Sequence, residues 1–254
     1  MIKETIIKKH INFDNDLKNF SDDLLSKIGG KNILVIGGSG DIGSAIVSIF
    51  SSSCSVKSTS RKELDLSSKQ SIFSFLSNNK DIYDNVIFCA AENNPKLFVN
   101  LQYEEILKTL QINLLSITEI LHKLYSSNQI QNKGSIVILS SIYSIVGRLK
   151  RFPYSVSKHA LDGLVKNLAL EMSQKNIRVN SVSPGYIDTK LTRKNLSNEE
   201  ISKIKKLIPN GNLGKPHDIA EIVKFLSSEN SSYINGQNII ADGGFICGGF
   251  MGLE

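Results

Sequence analysis

The chain has 254 residues, 41% of them hydrophobic, and 30 lysines and arginines against 24 acidic residues give a formal net charge of +6. This length suits one large domain or two small ones, and the apolar content disfavours intrinsic disorder. The longest aliphatic runs have four residues, far fewer than the roughly 20 that span a bilayer.

The N-terminus and the cysteines bear on the cellular compartment. The first nine residues, MIKETIIKK, contain no apolar core of a secretory signal. The three cysteines, Cys54, Cys89 and Cys247, are far apart and lack paired spacing. A reduced, cytoplasmic protein without a metal site is therefore expected.

From residue 31 onward, short β-rich runs alternate with longer amphipathic stretches, which predicts βαβ units. Strands are predicted at 32–36, 55–60, 85–90, 135–140, 178–182 and 238–241. Helices are predicted at 42–51, 68–77, 103–126, 154–174, 198–206 and 216–228. We expect one doubly wound α/β domain over 31–254, with a parallel sheet flanked by helices on both faces. Residues 1–30 form an N-terminal extension that could be a tail, an arm on a neighbouring subunit or a cover over the site.

A glycine-rich turn joins the first predicted strand to the first helix. Gly38, Gly40 and Gly43 satisfy the pattern G-x-G-x-x-G. Glycines let the backbone approach a pyrophosphate closely, and the free N–H groups at a helix start stabilise its charge. The turn therefore predicts dinucleotide binding, with a tight turn that binds no ligand as the alternative.

The end of the second predicted strand bears on which dinucleotide binds. Arg61 and Lys62 stand where NAD sites usually carry an acid for the ribose 2′-hydroxyl, and the first acid is Glu63. A guanidinium can hold a 2′-phosphate with paired hydrogen bonds. NADP(H) is therefore favoured, and NAD(H) remains the alternative if Arg61 is merely solvated.

Tyr154 and Lys158 are four residues apart at the start of a long amphipathic helix, so they share one helix face. The same spacing recurs in Tyr186 and Lys190, which follow a Pro-Gly pair and are expected in a loop. Only the first pair follows a buried strand that ends near a serine, Ser141. This serine reaches the carboxyl edge of the sheet, where α/β proteins bind ligands.

Together these motifs resemble the short-chain dehydrogenase/reductase family, and within it the reductases of 3-oxoacyl carrier-protein type. The resemblance spans about residues 31–245 and implies a Rossmann-type domain. It rests on the glycine turn, on Ser141 thirteen residues before Tyr154, on Lys158, and on Asn113 in the central helix. Further matching segments are 183–189 (SPGYIDT), 213–220 (LGKPHDIA) and 242–244 (DGG).

The resemblance implies a role for each catalytic residue. Tyr154 would give a proton to the carbonyl oxygen during reduction, and Lys158 would lower the pKa of Tyr154 and hydrogen-bond the nicotinamide ribose. Ser141 would polarise the carbonyl as an oxyanion donor. Asn113 would hold a water that links Lys158 to solvent, and the cofactor would supply the hydride.

The resemblance also implies the cofactor contacts, and no metal is expected. Asp65 and Leu66 resemble the pair beside the adenine ring, and Ile187 and Thr189 resemble the residues beside the nicotinamide amide. The other expected contacts are Gly37, Ser39, Gly40, Asp41, Ile42, Gly43, Arg61, Ala90, Ala91, Tyr154, Lys158, Pro184 and Gly185.

Two departures from the family pattern affect the cofactor contacts. Asp41 stands at the middle glycine position, where a carboxylate suits a helix start but would repel a pyrophosphate, so we expect it to point away. Residues 89–92 (CAAE) stand where the family has Asn-Asn-Ala-Gly. The hydrogen bonds that brace the central strand are therefore expected to differ.

Two short segments hold the whole charge excess. Arg148, Lys150 and Arg151 contribute +3 and residues 190–206 a net +4, which leaves −1 for the rest of the chain. In the family these segments line or cover the substrate, so an anionic substrate or carrier is implied: a thioester on an acidic carrier protein, a CoA ester or a sugar nucleotide. An ordinary solvated helix face for the lysines of 190–206 is the alternative.

The expected function is NADPH-dependent reduction of a ketone, a 3-oxoacyl thioester among the candidates, by a cytoplasmic homodimer or homotetramer. One alternative is an enzyme that acts on a sugar nucleotide or a secondary metabolite. The other is a nucleotide-binding regulatory protein without catalysis, against which the intact Ser141, Tyr154 and Lys158 argue. No nucleic-acid or membrane partner is expected, since no broad basic face with interleaved aromatics is visible.

Overall fold

Six parallel strands form one sheet in the order β2-β1-β3-β4-β5-β6. The computed structural model describes residues 29–248, so nearly all of the expected N-terminal extension lies outside the described residues. The strands are β1 (Asn32–Ile36), β2 (Ser55–Thr59), β3 (Tyr83–Phe88), β4 (Ile130–Leu139), β5 (Arg178–Pro184) and β6 (Asn238–Ala241). The predicted parallel sheet is therefore confirmed, with β3 and β4 beginning earlier than expected.

Helices cover both faces of this sheet. They are α1 (Asp41–Ser51), α2 (Lys69–Asn78), α3 (Tyr103–Leu110), α4 (Ser116–Ser126), α5 (Phe152–Glu171), α6 (Lys190–Asn195), α7 (Asn198–Leu207) and α8 (Pro216–Ser227). The helix predicted at 103–126 is interrupted by a π-helical turn, Gln111–Leu115. The short helix α6 was not predicted. Its N-terminus is capped by the Thr189 hydroxyl, which accepts the Thr192 N–H.

The inner strand β1 is apolar from Ile33 to Ile36 because both of its faces are buried. In β1, Leu34 and Ile36 pack into one core with residues of α4 and α5. Ile33 and Val35 point the other way and pack into a second core with residues of α1 and α8. Alternate side chains of a strand point to opposite faces, so helices on both sides leave no polar position in β1 after Asn32.

The strand order creates a crevice at the carboxyl edge of the sheet. The chain leaves β1 toward β2 on one side and later returns to place β3 on the other side of β1. Connections that diverge in this way open a crevice at the switch point, where ligands of doubly wound proteins bind. None of the helices within residues 29–248 is long and apolar enough to span a membrane.

Candidate active site

Two connected cavities open at this edge of the sheet. The turn cavity, of about 1270 Å³, lies over the glycine-rich turn and the end of β2. The tyrosine cavity, of about 840 Å³, lies over Ser141 and Tyr154. They share the wall residues Ile42, Cys89, Ala91, Thr189 and Leu191. Every residue expected to contact the cofactor lines one of these two cavities.

Ser141 and Tyr154 meet in the tyrosine cavity. Ser141 follows β4, and its hydroxyl oxygen accepts the Tyr143 N–H at 3.2 Å, which fixes the side chain. Tyr154 lies in the first turn of α5, just after Pro153. Burial raises the pKa of the Tyr154 phenol to about 12, although a hydrogen bond from Ser141 and the charge of Arg151 act to lower it. The phenol therefore holds its proton at neutral pH.

Lys158 lies one helical turn after Tyr154 and is only 1% exposed. Its Nζ donates a hydrogen bond to the Leu139 carbonyl at 2.7 Å and lies 5.5 Å from the centroid of the Tyr154 ring. Burial lowers the pKa of this ammonium to about 7. Since Ser141 and Arg151 are the groups that lower the pKa of Tyr154, the corresponding role of Lys158 stays a prediction.

Asn113 lies in the π-helical turn and forms hydrogen bonds that connect two segments next to the site. Its amide nitrogen donates to the Glu92 carbonyl at 2.9 Å and to the Ser157 hydroxyl at 3.1 Å, and its oxygen accepts the Glu92 N–H at 2.8 Å. The side chain is fully buried and lines neither cavity. Asn113 thus joins the segment after β3 to α5, while its expected role in holding a water stays a prediction.

The turn cavity fits the pyrophosphate of a dinucleotide. No side chain caps the N-terminus of α1, so its first N–H groups remain available beside the cavity. A Cβ on Gly40 would have no neighbour nearer than 3.6 Å, whereas a Cβ on Gly43 would collide with the Gly37 carbonyl. The glycines therefore hold the turn tight and leave open space above it.

Asp41 is turned toward the opposite wall of the cleft. Its Oδ2 accepts the Lys190 N–H at 2.5 Å, and its Oδ1 lies 3.9 Å from the Lys190 Nζ. These contacts connect the start of α1 to the start of α6. The carboxylate charge is thereby partly balanced by a cation, which reduces its repulsion of a bound anion.

The structure separates the basic residues that the sequence groups together. Arg148 and Arg151 line the tyrosine cavity, and Lys190 lines the turn cavity. Lys150 is exposed and lines neither. The lysines of α7 lie on its exposed face, where Lys203 pairs with Glu199 at 2.7 Å. The solvated-face interpretation therefore applies to α7 and not to the loop before Tyr154.

Three further residues of the tyrosine cavity were not predicted. The hydroxyls of Tyr143 and Tyr186 lie 2.9 Å apart, and both accept hydrogen bonds from the Arg148 Nη1, at 2.9 and 2.6 Å. The side-chain Oδ1 of Asn93 accepts a hydrogen bond from the Arg151 Nη1 at 3.0 Å. All three follow strands that end at the same sheet edge, which is the one sequence signal that could have found them.

Known proteins match this chain over most of its length. Residues 47–246 match a family model described as enoyl-(acyl carrier protein) reductase. The chain is 34% identical to the 3-oxoacyl-[acyl-carrier-protein] reductase FabG of Aquifex aeolicus, over 85% of this chain and 87% of that protein. It is 31% identical to the protein of the same name from Rickettsia conorii, over 85% and 97% of the two chains.

Solved structures match the fold. A short chain dehydrogenase family protein from Francisella tularensis superimposes with a TM-score of 0.80 at 29% identity, covering 86% of this chain and all of that one. The aldohexose dehydrogenase of Thermoplasma acidophilum superimposes with a TM-score of 0.79 at 26% identity, covering 87% and 95%.

Replacing the buried lysine tests its depressed pKa. In the folded protein Lys158 loses its proton near pH 7, whereas an unfolded lysine keeps it to about pH 10.5. Between these values the unfolded state binds more protons, so the stability of the wild type rises with pH relative to Lys158→Met. We expect the difference in unfolding free energy to shift by about 2 kcal/mol in favour of the wild type from pH 7 to 9. Urea unfolding of both proteins measures this, and a difference that does not change with pH would contradict it.

Proposed function

Since this chain belongs to the short-chain dehydrogenase/reductase family of NAD(P)-dependent oxidoreductases acting on CH–OH groups, we propose that it reduces a ketone to a secondary alcohol with NADPH. The observation that carries the proposal is the meeting of Ser141, Tyr154 and Lys158 in the tyrosine cavity, which shares a wall with the turn cavity. No tyrosine among residues 29–248 other than Tyr154 combines a serine donor with a buried lysine.

Tyr154 supplies the proton in the proposed reaction. Its pKa of about 12 keeps the phenol protonated at neutral pH, so it can donate a hydrogen bond and then a proton to a carbonyl oxygen. Ser141 can donate a second hydrogen bond to the same oxygen as negative charge develops there. When bound, a reduced nicotinamide supplies the hydride that adds to the carbonyl carbon. The carbonyl thereby becomes a CH–OH group.

Lys158 suits the return of a proton to Tyr154. A group whose pKa lies near the operating pH exchanges protons most effectively, and burial brings the pKa of Lys158 to about 7. One of its donors is bound to the Leu139 carbonyl, and an ammonium has two more. Those two would be available to the nicotinamide ribose and to the Tyr154 phenol if a cofactor were bound.

The far end of the turn cavity supports NADPH over NADH. Arg61 lines this end, and its side chain is 71% exposed. The nearby acid, Glu63, accepts hydrogen bonds from the Ser60 N–H and hydroxyl, each at 2.7 Å, so its carboxylate is engaged within its own turn. The Arg61 guanidinium makes one long ion pair, from its Nε to Asp65 Oδ2 at 3.8 Å. An exposed guanidinium held this loosely, beside an engaged carboxylate, favours a 2′-phosphate over a 2′-hydroxyl.

Two substrate classes fit the family. The 3-oxoacyl carrier-protein reductases among the relatives support a 3-oxoacyl thioester. The wall formed by Tyr143, Tyr186 and Asn93 is rich in hydroxyl and amide groups, which favours a polar, sugar-like ketone as the second candidate. The aldohexose dehydrogenase of similar fold supports this candidate as well.

We also propose that the enzyme is a homodimer or homotetramer. Phe98 and Phe152 pack edge to face with ring centroids 5.0 Å apart, yet remain 65% and 43% exposed. Large apolar groups left on a surface are typical of interfaces between subunits. The molar mass in solution, measured by light scattering, should be two or four times that of the chain, and the mass of a single chain would contradict the proposal.

The proposed proton donor is tested by Tyr154→Phe, which removes one hydroxyl and keeps the ring. We expect kcat to fall by roughly 10²–10⁴-fold for any ketone that the wild type reduces. Binding of NADPH, followed by fluorescence titration, should change little. Tyr103→Phe alters an exposed tyrosine of α3 and serves as the control. Turnover retained in Tyr154→Phe would refute the assignment.

The cofactor preference is tested by Arg61→Gln. Loss of a charge-assisted hydrogen-bonded pair should weaken NADPH binding by about 10- to 100-fold and leave NADH binding nearly unchanged. Lys62→Gln is the matched control, because Lys62 is the adjacent cation and does not line the cavity. Equal effects of Arg61→Gln on the two cofactors would argue that the enzyme uses NAD(H).

A further inference from the structure

Two arginines face the tyrosine cavity, and neither forms a salt bridge with an acid in the described part of the chain. Arg148 is held by the hydroxyls of Tyr143 and Tyr186, and Arg151 by the side chain of Asn93. Among residues 29–248, neither arginine has a carboxylate within salt-bridge distance. Paired charges are the rule for buried cations, so this arrangement is unusual.

The hydrogen-bonding capacity of both guanidiniums is largely unused. A guanidinium has five N–H donors, and the bonds that Arg148 makes to neighbouring side chains come from Nη1 alone. Arg151 is only 6% exposed, and its buried Nε has no hydrogen-bond partner in the described part of the chain. An unsatisfied donor on a buried cation is costly, which points to a ligand that completes it.

The charged groups around Arg148 and Arg151 make this part of the tyrosine cavity positive. Arg148 and Arg151 are close enough to act on each other electrostatically. The acid that acts on Arg148 is Glu200, but its carboxylate accepts the Ser197 N–H at the start of α7. Lys158 lines the same cavity and adds a third positive charge whenever its amine, with a pKa of about 7, is protonated. An anion entering here would meet fixed, partly desolvated donors.

We propose that Arg148 and Arg151 bind a carboxylate or phosphate group of the ketone itself, so that the enzyme acts on small anionic ketones. This inference rests on the proposed function and deepens it. Arg151 acts electrostatically on the Tyr154 phenol, so an anion bound by Arg151 lies near the reacting carbonyl. In a carrier-bound thioester, by contrast, the phosphate is many bonds from the ketone.

Different contacts hold the side chains of the two arginines in position. Arg148 packs over the Tyr186 ring, with its guanidinium carbon 5.5 Å from the centroid, and bonds two phenols, so its fork is held in one orientation. Arg151 is the N-cap residue of α5 and lies three residues before Tyr154, so its position is tied to that of the helix that carries Tyr154. A bound anion would therefore be fixed relative to Tyr154, which is what orientation for proton transfer requires.

The first test compares charged ketones with neutral counterparts. Acetoacetate is set against methyl acetoacetate and acetoacetyl-N-acetylcysteamine, and dihydroxyacetone phosphate against dihydroxyacetone. With NADPH, the wild type should show a kcat/KM at least about tenfold higher for one of the anions than for its neutral counterparts. The anion that shows the preference identifies a carboxylate or a phosphate. A neutral thioester reduced as efficiently as every anion would overturn the inference and leave the proposed reduction standing.

Variants of the two arginines test whether these residues cause the preference for anionic ketones. Arg148→Gln and Arg151→Gln should each reduce the ratio of anionic to neutral kcat/KM by about 10- to 100-fold, mainly through KM. Arg151→Lys is the conservative variant, included in case Arg151→Gln disrupts folding of the buried site. It should give an intermediate ratio, because lysine keeps the charge but lacks the planar guanidinium. Lys150→Gln, one residue away and outside the cavity, should leave the ratio unchanged. An unchanged ratio in the arginine variants would refute the assignment.

A binding experiment separates this inference from the proposed reaction. 3-Hydroxybutyrate and 3-hydroxybutyramide are titrated calorimetrically into the NADPH-bound protein, where no turnover occurs. Tighter binding of the acid, lost in Arg148→Gln, supports the arginine site even if no ketone is reduced, in which case only the proposed reaction fails. Equal binding of acid and amide, together with no preference for dihydroxyacetone phosphate, would overturn the arginine site.

Discussion

The hydrogen bond from the Lys158 ammonium to the Leu139 carbonyl is the contact on which the candidate site depends. It joins the end of a central strand to the first turns of α5 and buries a cation that the fold would otherwise expel. Because Ser141 follows Leu139 by two residues and Tyr154 precedes Lys158 by one helical turn, this bond sets the distance between serine and phenol. Asn113 holds the same helix from behind through Ser157.

The site uses burial to set two pKa values in opposite directions. Desolvation raises the pKa of Tyr154 and lowers that of Lys158, since it disfavours the charged form of each. At neutral pH the phenol thus keeps its proton while the amine exchanges one readily. The arrangement costs stability, because a lysine that is charged in the unfolded chain must give up hydration on folding. Such a cost is typical of functional sites.

Much of the fold and of the candidate site could be predicted from the sequence, because the sequence signals for them are local. Aliphatic runs of up to four residues, a glycine turn between strand and helix, and a tyrosine and lysine four apart in a helix are each recognised from short-range patterns. The contacts that could not be predicted are non-local. The π-helical turn presents Asn113 to Glu92, far away in sequence, and Tyr143 meets Tyr186 only because β4 and β5 are adjacent.

The basic loop before α5 is a second feature whose arrangement could not be predicted from the sequence. The sequence groups Arg148, Lys150 and Arg151 as one charged segment, but the backbone of Lys150 adopts a left-handed conformation with φ of 65°. Lys150 is left in solvent while the two arginines line the cavity. A charge count therefore indicates an anionic partner, and only the conformation of the loop indicates where its charge would lie.

In the proposed reaction, Tyr154 protonates a ketone while NADPH reduces it. The most direct measurement uses NADPH deuterated at both positions of nicotinamide C4 and follows the product of acetoacetate or dihydroxyacetone phosphate by NMR. We expect an alcohol with one deuterium on the carbinol carbon, formed by the wild type and not by the Tyr154→Phe enzyme. Cofactor oxidation without a deuterated alcohol, or equal deuterium transfer by the two enzymes, would contradict it.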